Sequence, residues 1–184
     1  MAFPGGLGGA PGGYGGGLFA ALVKRRVFVS YHHAGDQLYY DSLARTYSQA
    51  LDVFSDTSLD RIIDSDNTDY TRWKINQDNI KGSSCTIVLL GAETPNRKYV
   101  DWEIYYTLEA NHGLLGVALP TCPRDWQYKV RVPDRFHEDY QSGHAVLIDW
   151  NSLNAQTLKN AIETAVGKPS YGIKNTAPLR QRNG

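Results

Sequence analysis

Apolar runs of strand length recur along the chain, separated by stretches in which apolar residues repeat at the spacing of a helix. The clearest run, residues 85–90 (CTIVLL), is apolar toward both faces, which predicts a central strand of a parallel sheet. Further runs predict strands at residues 27–31, 51–54, 114–119 and 145–150. The pattern therefore predicts a sheet of five parallel strands.

Helical spacing predicts four helices between and after these strands. They cover residues 36–49, 71–80, 97–110 and 154–166. In the first helix, Asp36 is predicted to be the N-cap. Leu38, Leu43 and Tyr47 are expected to face inward from the same helix. Each of the four segments is long enough to cover a sheet of this size.

The third predicted helix is the one on which the candidate site depends. Val100, Ile104 and Leu108 form an apolar stripe that fits the packing of a helix on a sheet. Glu103 lies on the neighbouring strip, where a carboxylate is partly desolvated and still able to meet a ligand. Trp102 lies opposite the stripe, together with Tyr105 and Glu109, and suggests either a protein contact or a solvent-facing surface.

Strands that alternate with helices define an α/β fold, here a flavodoxin-like or TIR-like three-layer arrangement with a five-strand parallel sheet flanked by helices. In such sheets, ligands bind beyond the carboxyl ends of the strands, where the strand order reverses. Residues 30–36 and 91–98 would line that crevice. Residues 55–70 are predicted to be a long polar loop, and residues 121–143 to be irregular.

The length of 184 residues fits one domain, predicted to span residues 24–168. Residues 1–23 carry no charge and are rich in glycine, which predicts a flexible tail. They are not expected to be a signal peptide, because the basic residues follow the apolar run instead of preceding it. Residues 169–184 are predicted to be a loose C-terminal tail.

Charge and cysteine content narrow the classes of function. Lys and Arg together number 19, as do Asp and Glu, so the neutral chain carries no electrostatic signature of a nucleic-acid or membrane-surface protein. Cys85 and Cys122 lack the spacing of a zinc site and are expected to be reduced, buried thiols in a cytoplasmic protein. No apolar run is long enough for a membrane span.

Three stretches resemble the TIR-domain family. Residues 27–31 (VFVSY) are similar to its first sequence box, and residues 81–91 (KGSSCTIVLLG) to its third strand. Residues 99–104 (YVDWEI) are similar to its W-x-x-x-E motif, with Tyr99 in place of Trp. Together with Thr94, these residues resemble the branch that includes the TIR protein of the bacterial Thoeris antiphage system.

This resemblance implies an enzyme that cleaves the bond between nicotinamide and ribose in NAD. Glu103 would be the catalytic glutamate, which stabilises the oxocarbenium-like transition state. Substrate contacts are expected from Ser30, Tyr31, His32, His33 and Tyr99. Either water or a hydroxyl of the same nucleotide would attack the sugar. The product, a hydrolysed, cyclic or conjugated ADP-ribose nucleotide, would activate an effector protein that senses it.

The resemblance further implies that NAD is a substrate, so neither a cofactor nor a metal is expected. Structural roles compete with several of these assignments: Ser30 often satisfies backbone at such a position, and His32 and His33 are equally suited to a turn. Tyr31 and Tyr99 suit core packing about as well as ring stacking. Two other classes stay open, a non-catalytic TIR-like interaction module and a flavodoxin-like nucleotide-binding domain without NAD cleavage. The interaction module could self-assemble.

Overall fold

The computed structural model describes residues 25–47, the backbone of residues 51–54, and residues 80–184. The predicted tail at residues 1–23, the loop at 55–70 and most of the helix at 71–80 lie outside these residues. The strands are β1 (Arg25–Ser30), β2 (Leu51–Phe54), β3 (Cys85–Leu90), β4 (Gly113–Ala118) and β5 (Val146–Asp149). The helices are α1 (His33–Tyr47), α2 (Lys98–Glu109), α3 (Asp134–Gln141) and α4 (Ala155–Val166).

The strands form one parallel sheet in the order β2-β1-β3-β4-β5. All side chains of β3 and β4 are buried, as expected of central strands covered on both faces. Strand β2 is described through its backbone pairing with β1 alone. The α/β class and the parallel sheet flanked by helices, both predicted from the sequence, are confirmed.

Helices cover both faces of the sheet. On one face, α1 and α4 bury Leu43, Leu158 and Ile162 against those residues of β1, β3 and β4 that point toward these helices. On the other face, α2 contributes the predicted stripe of Val100, Ile104 and Leu108. Phe136 of α3 completes this second layer, and Gly116 of β4 gives it room, because a Cβ there would lie 2.5 Å from the Phe136 ring.

The start of α1 differs from the prediction. The helix begins at His33, so that Asp36 lies inside its first turn and not at the N-cap. The backbone N–H of Asp36 already donates to the carbonyl of His32, and the carboxylate is buried. Leu38, predicted to face the core, is 82% exposed because it lies about 140° around the helix from the buried Leu43. Leu43 is buried as predicted.

Residues 121–143, predicted to be irregular, contain helix α3. Its sequence conceals the helix because two of its three buried side chains are charged, Arg135 and Asp139. A pattern of apolar residues cannot show a helix whose inner face is ion-paired. The predicted closing helix is confirmed: α4 begins after Asn154, whose side chain forms a capping box with Thr157.

The C-terminal segment, residues 169–184, was predicted to be a loose tail and is instead bound along α2 and α3. The Arg180 carbonyl accepts a hydrogen bond from the Trp102 indole at 2.9 Å. The Asn183 side chain accepts from the first amide of α2, that of Lys98, at 2.8 Å. Polar contacts hold this segment in place, and such contacts leave no apolar periodicity in the sequence.

Trp102 is 1% exposed and packs against Phe28 and Ile80, so the prediction of an outward protein contact at this residue is wrong. Both cysteines are free and buried, as predicted, and burial raises the pKa of the Cys85 thiol to about 12. Among the described residues, no helix has the length and apolarity that a bilayer crossing requires.

Candidate functional site

The strand order reverses between β1 and β3, since β2 lies on one side of this pair and β4 and β5 on the other. The carboxyl ends of β1 and β3 therefore open the crevice in which parallel α/β sheets bind ligands. Ser30 is the last residue of β1, and Leu90 is the last of β3. The loop after Leu90 leads directly into α2, which brings its side chains back over the end of β1.

Glu103 and Ser30 meet at this position, 73 residues apart in sequence. The Ser30 hydroxyl donates to Glu103 Oε2 at 2.5 Å, and the two residues are 0% and 1% exposed. The helix is fixed one turn further on, because the Thr107 hydroxyl donates to the Glu103 carbonyl and is also hydrogen-bonded to Thr86 of β3, at 2.6 Å. The sequence placed Glu103 at the edge of the core, and the structure buries it fully.

A second carboxylate, Asp36, lies buried at the same edge of the sheet. It accepts a hydrogen bond from the Thr94 hydroxyl at 3.1 Å and is packed against Gly91, where a Cβ would lie 2.0 Å from its Oδ1. Burial raises the pKa of the Asp36 carboxyl above its usual value, and the hydrogen bond from Thr94 and the neighbouring His32 and Arg97 offset part of that rise.

Of the predicted residues 31–33, Tyr31 and His32 form the turn between β1 and α1, and His33 is the first residue of α1. Tyr31 is 3% exposed, and its ring stacks on Tyr40 with centroids 4.6 Å apart and planes within 6°. Its hydroxyl and the His33 Nδ1 both contact the Gln37 side chain, at 3.0 Å and 2.8 Å. His32 is buried close to Asp36. One face of the Tyr31 ring is therefore already covered by the protein.

Tyr99 lies one turn before Glu103 on α2 and is half-buried. Its ring meets that of Trp102 edge-on, with centroids 5.7 Å apart, and the Lys98 ammonium lies 4.9 Å from its centroid. It therefore belongs to the aromatic cluster around Trp102 that joins α2 to the body of the protein, and it shares the strip of α2 that carries Glu103.

A buried ion pair fixes the beginning of α2. The Arg135 guanidinium, 0% exposed, donates to both oxygens of Asp101, at 3.0 Å and 3.4 Å. The Asp101 carboxylate also accepts from the Arg180 amide at 2.9 Å. Arg135 in turn donates to Asn175 and to the Pro178 carbonyl. Helix α3 and the C-terminal segment therefore hold the helix that carries Glu103.

Sequence reasoning found Glu103 and Ser30, which lie in contact, and missed Asp36, Gly91 and Thr94 as one packed group. The signal was weak but present. An acidic residue six positions after a buried strand and a glycine directly after another strand both fall at the carboxyl edge of the sheet. A cap was the commoner role for Asp36, and that role was the one predicted.

The chemistry available here is that of a desolvated carboxylate held by a hydroxyl at the switch point of the sheet. Such a group binds sugar hydroxyls and stabilises positive charge more strongly than a solvated one does. In the part of the chain that the structure describes, no three His, Cys, Asp or Glu side chains cluster so as to hold a metal ion. The fold and this site define an α/β domain with a buried carboxylate at its switch-point crevice.

A comparison with protein families identifies which domain of this class it is. The model of the TIR-like domain of the Thoeris protein ThsB matches residues 28–124, more than half of the chain. The chain therefore belongs to this family. Ser30, Asp36 and Glu103 all lie within the matched residues. A search of the curated proteins gave no match.

Proposed function

We propose that this protein cleaves the nicotinamide–ribose bond of NAD and that Glu103 is its catalytic residue. The observation that carries the proposal is the buried contact between the Ser30 hydroxyl and the Glu103 carboxylate at the switch point. A hydroxyl held against a carboxylate in this crevice orients the carboxylate without a metal. Membership of the ThsB TIR-like family supports the same reading.

Cleavage of an N-glycosidic bond develops positive charge on the ribose ring as the C–N bond breaks. Nicotinamide leaves NAD as a neutral base that takes the bonding electron pair, so the leaving group needs no proton. Glu103 would accept hydrogen bonds from the ribose hydroxyls and stabilise the oxocarbenium-like sugar. Ser30 would keep the carboxylate in the orientation that this requires. Water or a nucleotide hydroxyl then attacks the anomeric carbon.

We propose substrate contacts for the remaining predicted residues as well. Tyr99 is half-buried on the strip that carries Glu103 and offers ring surface to the nicotinamide. Tyr31 has one ring face on Tyr40, which leaves it a smaller surface for a ligand. His32 and His33 would lie near the phosphates at the start of α1, where amides at a helix N-terminus also favour anions.

The proposed role in the cell follows from the same family. The released nucleotide, hydrolysed or cyclised, would act as a signal that switches on an effector protein during antiphage defence. A cytoplasmic location fits a substrate of this kind, and NAD would be consumed and not retained as a cofactor. Self-assembly of the domain, another proposal, would couple this activity to a trigger.

The test compares wild-type protein, Glu103→Gln and Glu109→Gln. Glutamine preserves the volume of the buried side chain but not its charge, so nicotinamide release by Glu103→Gln should fall at least about 100-fold. Glu109 lies on the same helix and is exposed, and its Oε1 accepts from Asn175, which glutamine can also satisfy. Glu109→Gln should therefore retain wild-type activity. Each protein is tested at low and at high protein concentration, with NAD alone and with NAD plus lysate of phage-infected cells.

Mass spectrometry of the nucleotide product separates the two possible nucleophiles. Hydrolysis gives ADP-ribose, whereas cyclisation gives a product lighter by one water molecule. Equal nicotinamide release from wild-type protein and Glu103→Gln would remove Glu103 from the chemistry. No release from any of the three proteins, including the samples with infected-cell lysate, would leave the non-catalytic interaction module as the function of this domain.

A further inference from the structure

A cavity of about 500 Å³ lies at the carboxyl ends of β4 and β5. Its walls come from these two strands, from α3 and from the hairpin formed by residues 123–131. Neither Ser30 nor Glu103 lines it, and neither do the other predicted substrate contacts. The volume is that of a typical small-molecule site. It is therefore a second candidate site on the same edge of the sheet.

The floor of this cavity is apolar and its rim is aromatic. Phe136, Leu147 and Val132 form part of the floor. Tyr128 and Tyr140 stand at the rim, 81% and 44% exposed. Two exposed tyrosines beside an apolar floor offer flat, rigid surface with little loss of side-chain entropy on binding. The shape and lining suit an aromatic ring system.

The charged groups of the lining favour an anion. Among the described residues that line the cavity, the charged side chains are Arg124, Lys129 and Asp149. Arg124 is ion-paired with Asp149, so these two charges offset one another. Lys129 then gives the lining one positive charge in excess. A ligand with a single negative group beside its ring would match both the rim and this charge.

The hairpin holds Tyr128 in a backbone conformation that tyrosine rarely adopts. The φ angle of Tyr128 is 61°, in the left-handed region, where hairpins of this kind usually have Gly or Asn. The Asp125 side chain accepts from the amides of Gln127 and Lys129, and the Asp125 carbonyl accepts from that of Tyr128. A bulky residue kept in such a conformation indicates a use for its side chain.

We propose that this cavity binds a flat aromatic molecule carrying one negative charge, with its ring between Tyr128 and Tyr140 and its anionic group at Lys129. The proposal does not depend on NAD cleavage, since it uses none of the residues assigned to that reaction. Three independent observations support it: the apolar floor, the excess positive charge and the backbone conformation of Tyr128.

The first test uses a pair of fluorescent probes with related rings. 8-Anilinonaphthalene-1-sulfonate carries one negative charge, and N-phenyl-1-naphthylamine carries none. Lys129→Glu should weaken binding of the anionic probe about tenfold and leave the neutral probe within about twofold. Lys159→Glu, an exposed lysine of α4 outside the cavity, is the matched control and should change neither. Equal losses in the two variants, or binding that does not saturate, would overturn the proposal.

The second test separates binding from folding. Tyr128→Gly removes the ring but suits the left-handed backbone, so its melting temperature should equal or exceed that of wild type. Its affinity for the anionic probe should nevertheless fall about fivefold. Unchanged affinity would contradict the proposal. The probe should also bind the Glu103→Gln variant normally, and NAD should not displace it. Displacement by NAD would instead make the cavity part of the substrate site and would refute a separate one.

Discussion

Asp139 shows how a single buried charge can make the stability of the protein depend on pH. It is 0% exposed, its Oδ1 accepts from the Lys174 amide at 2.9 Å, and its Oδ2 has no hydrogen-bond partner among the described residues. Desolvation raises the pKa of this carboxyl from 3.8 to about 6. The folded state therefore holds the proton more tightly than the unfolded chain does.

This sign predicts a loss of stability as the pH rises. Between about pH 4 and pH 6 the unfolded carboxyl has already lost its proton, whereas the folded one still holds it. The free energy of unfolding of the wild-type protein should therefore fall by roughly 2–3 kcal/mol across this range. Asp139→Asn keeps the acceptor for Lys174 and does not titrate. The difference between its free energy of unfolding and that of wild type, measured by urea denaturation, should increase by this amount between about pH 4 and pH 8.

The control for this prediction is Asp134→Asn, an exposed carboxylate on the same helix. Its difference from wild type should stay nearly constant over the same pH range, since solvent screens its charge. If Asp134→Asn and Asp139→Asn show the same pH dependence, burial of Asp139 is not its cause.

Single residues also show where sequence reasoning succeeds. Glu103 was placed beside the core by helical spacing alone, and its contact with Ser30 follows from the parallel topology. The burial of Trp102 could not be predicted, because the residues that cover it are far away in sequence and its indole donates to a backbone carbonyl. Leu38 was misassigned because side chains five residues apart on a helix point about 140° away from each other, so Leu38 and Leu43 cannot both face the sheet.

At the scale of elements, α2 is held by more than its apolar stripe. The Arg135–Asp101 ion pair, the Trp102–Arg180 hydrogen bond and the Asn183–Lys98 contact all tie this helix to α3 or to the C-terminal segment. Two buried oxygens and a buried indole N–H are satisfied in this way. The segment that follows α4 is therefore an integral part of the layer that carries Glu103.

Trp102→Phe tests this attachment. The substitution keeps most of the ring packing and removes the donor to the Arg180 carbonyl, so unfolding should require about 1–2 kcal/mol less. Trp126→Phe is the matched control, because Trp126 is 86% exposed and its loss should change stability by less than about 0.5 kcal/mol. Urea denaturation followed by circular dichroism measures both. Equal stability of the two variants would show that the hydrogen bond contributes nothing.

The elements differ in how visible they are in the sequence. Strand β3 was clear because all six of its residues are buried, and α4 was clear because it has both a capping residue and a regular apolar face. Helix α3 was missed because Arg135 and Asp139 take inner positions that a binary pattern reserves for apolar side chains. Arg135 lies there because it pairs with Asp101, and Asp139 because it accepts from the Lys174 amide, and neither contact is visible in the sequence.

At the scale of the whole molecule, the sheet sets the order in which regions open. Strands β3 and β4 are buried on both faces, whereas every residue of β5 is half-buried, and among the described strands β5 pairs with β4 alone. The amides of β3 and β4 should therefore exchange with solvent only through global unfolding, those of β5 more quickly, and those of residues 124–130 most quickly.

Hydrogen exchange followed by mass spectrometry measures this order directly. Peptides from β3 and β4 should share one free energy of opening, equal to that obtained from urea denaturation. Protection of β5 at the same level as β3 would contradict the expected order. The class of the fold was visible in the sequence at this scale because burial of a parallel sheet is apolar, whereas the attachment of residues 169–184 was not, because it is polar.

The position of Gly184 has a practical consequence for work on this protein. Its amide donates to the Asn96 carbonyl at 3.0 Å, in the loop that leads from β3 into α2. Any chain that follows residue 184 in an expressed protein, such as an affinity tag, would therefore lie beside the loop that leads into the helix carrying Glu103. Assays of the proposed NAD turnover should accordingly use protein from which any such tag has been cleaved.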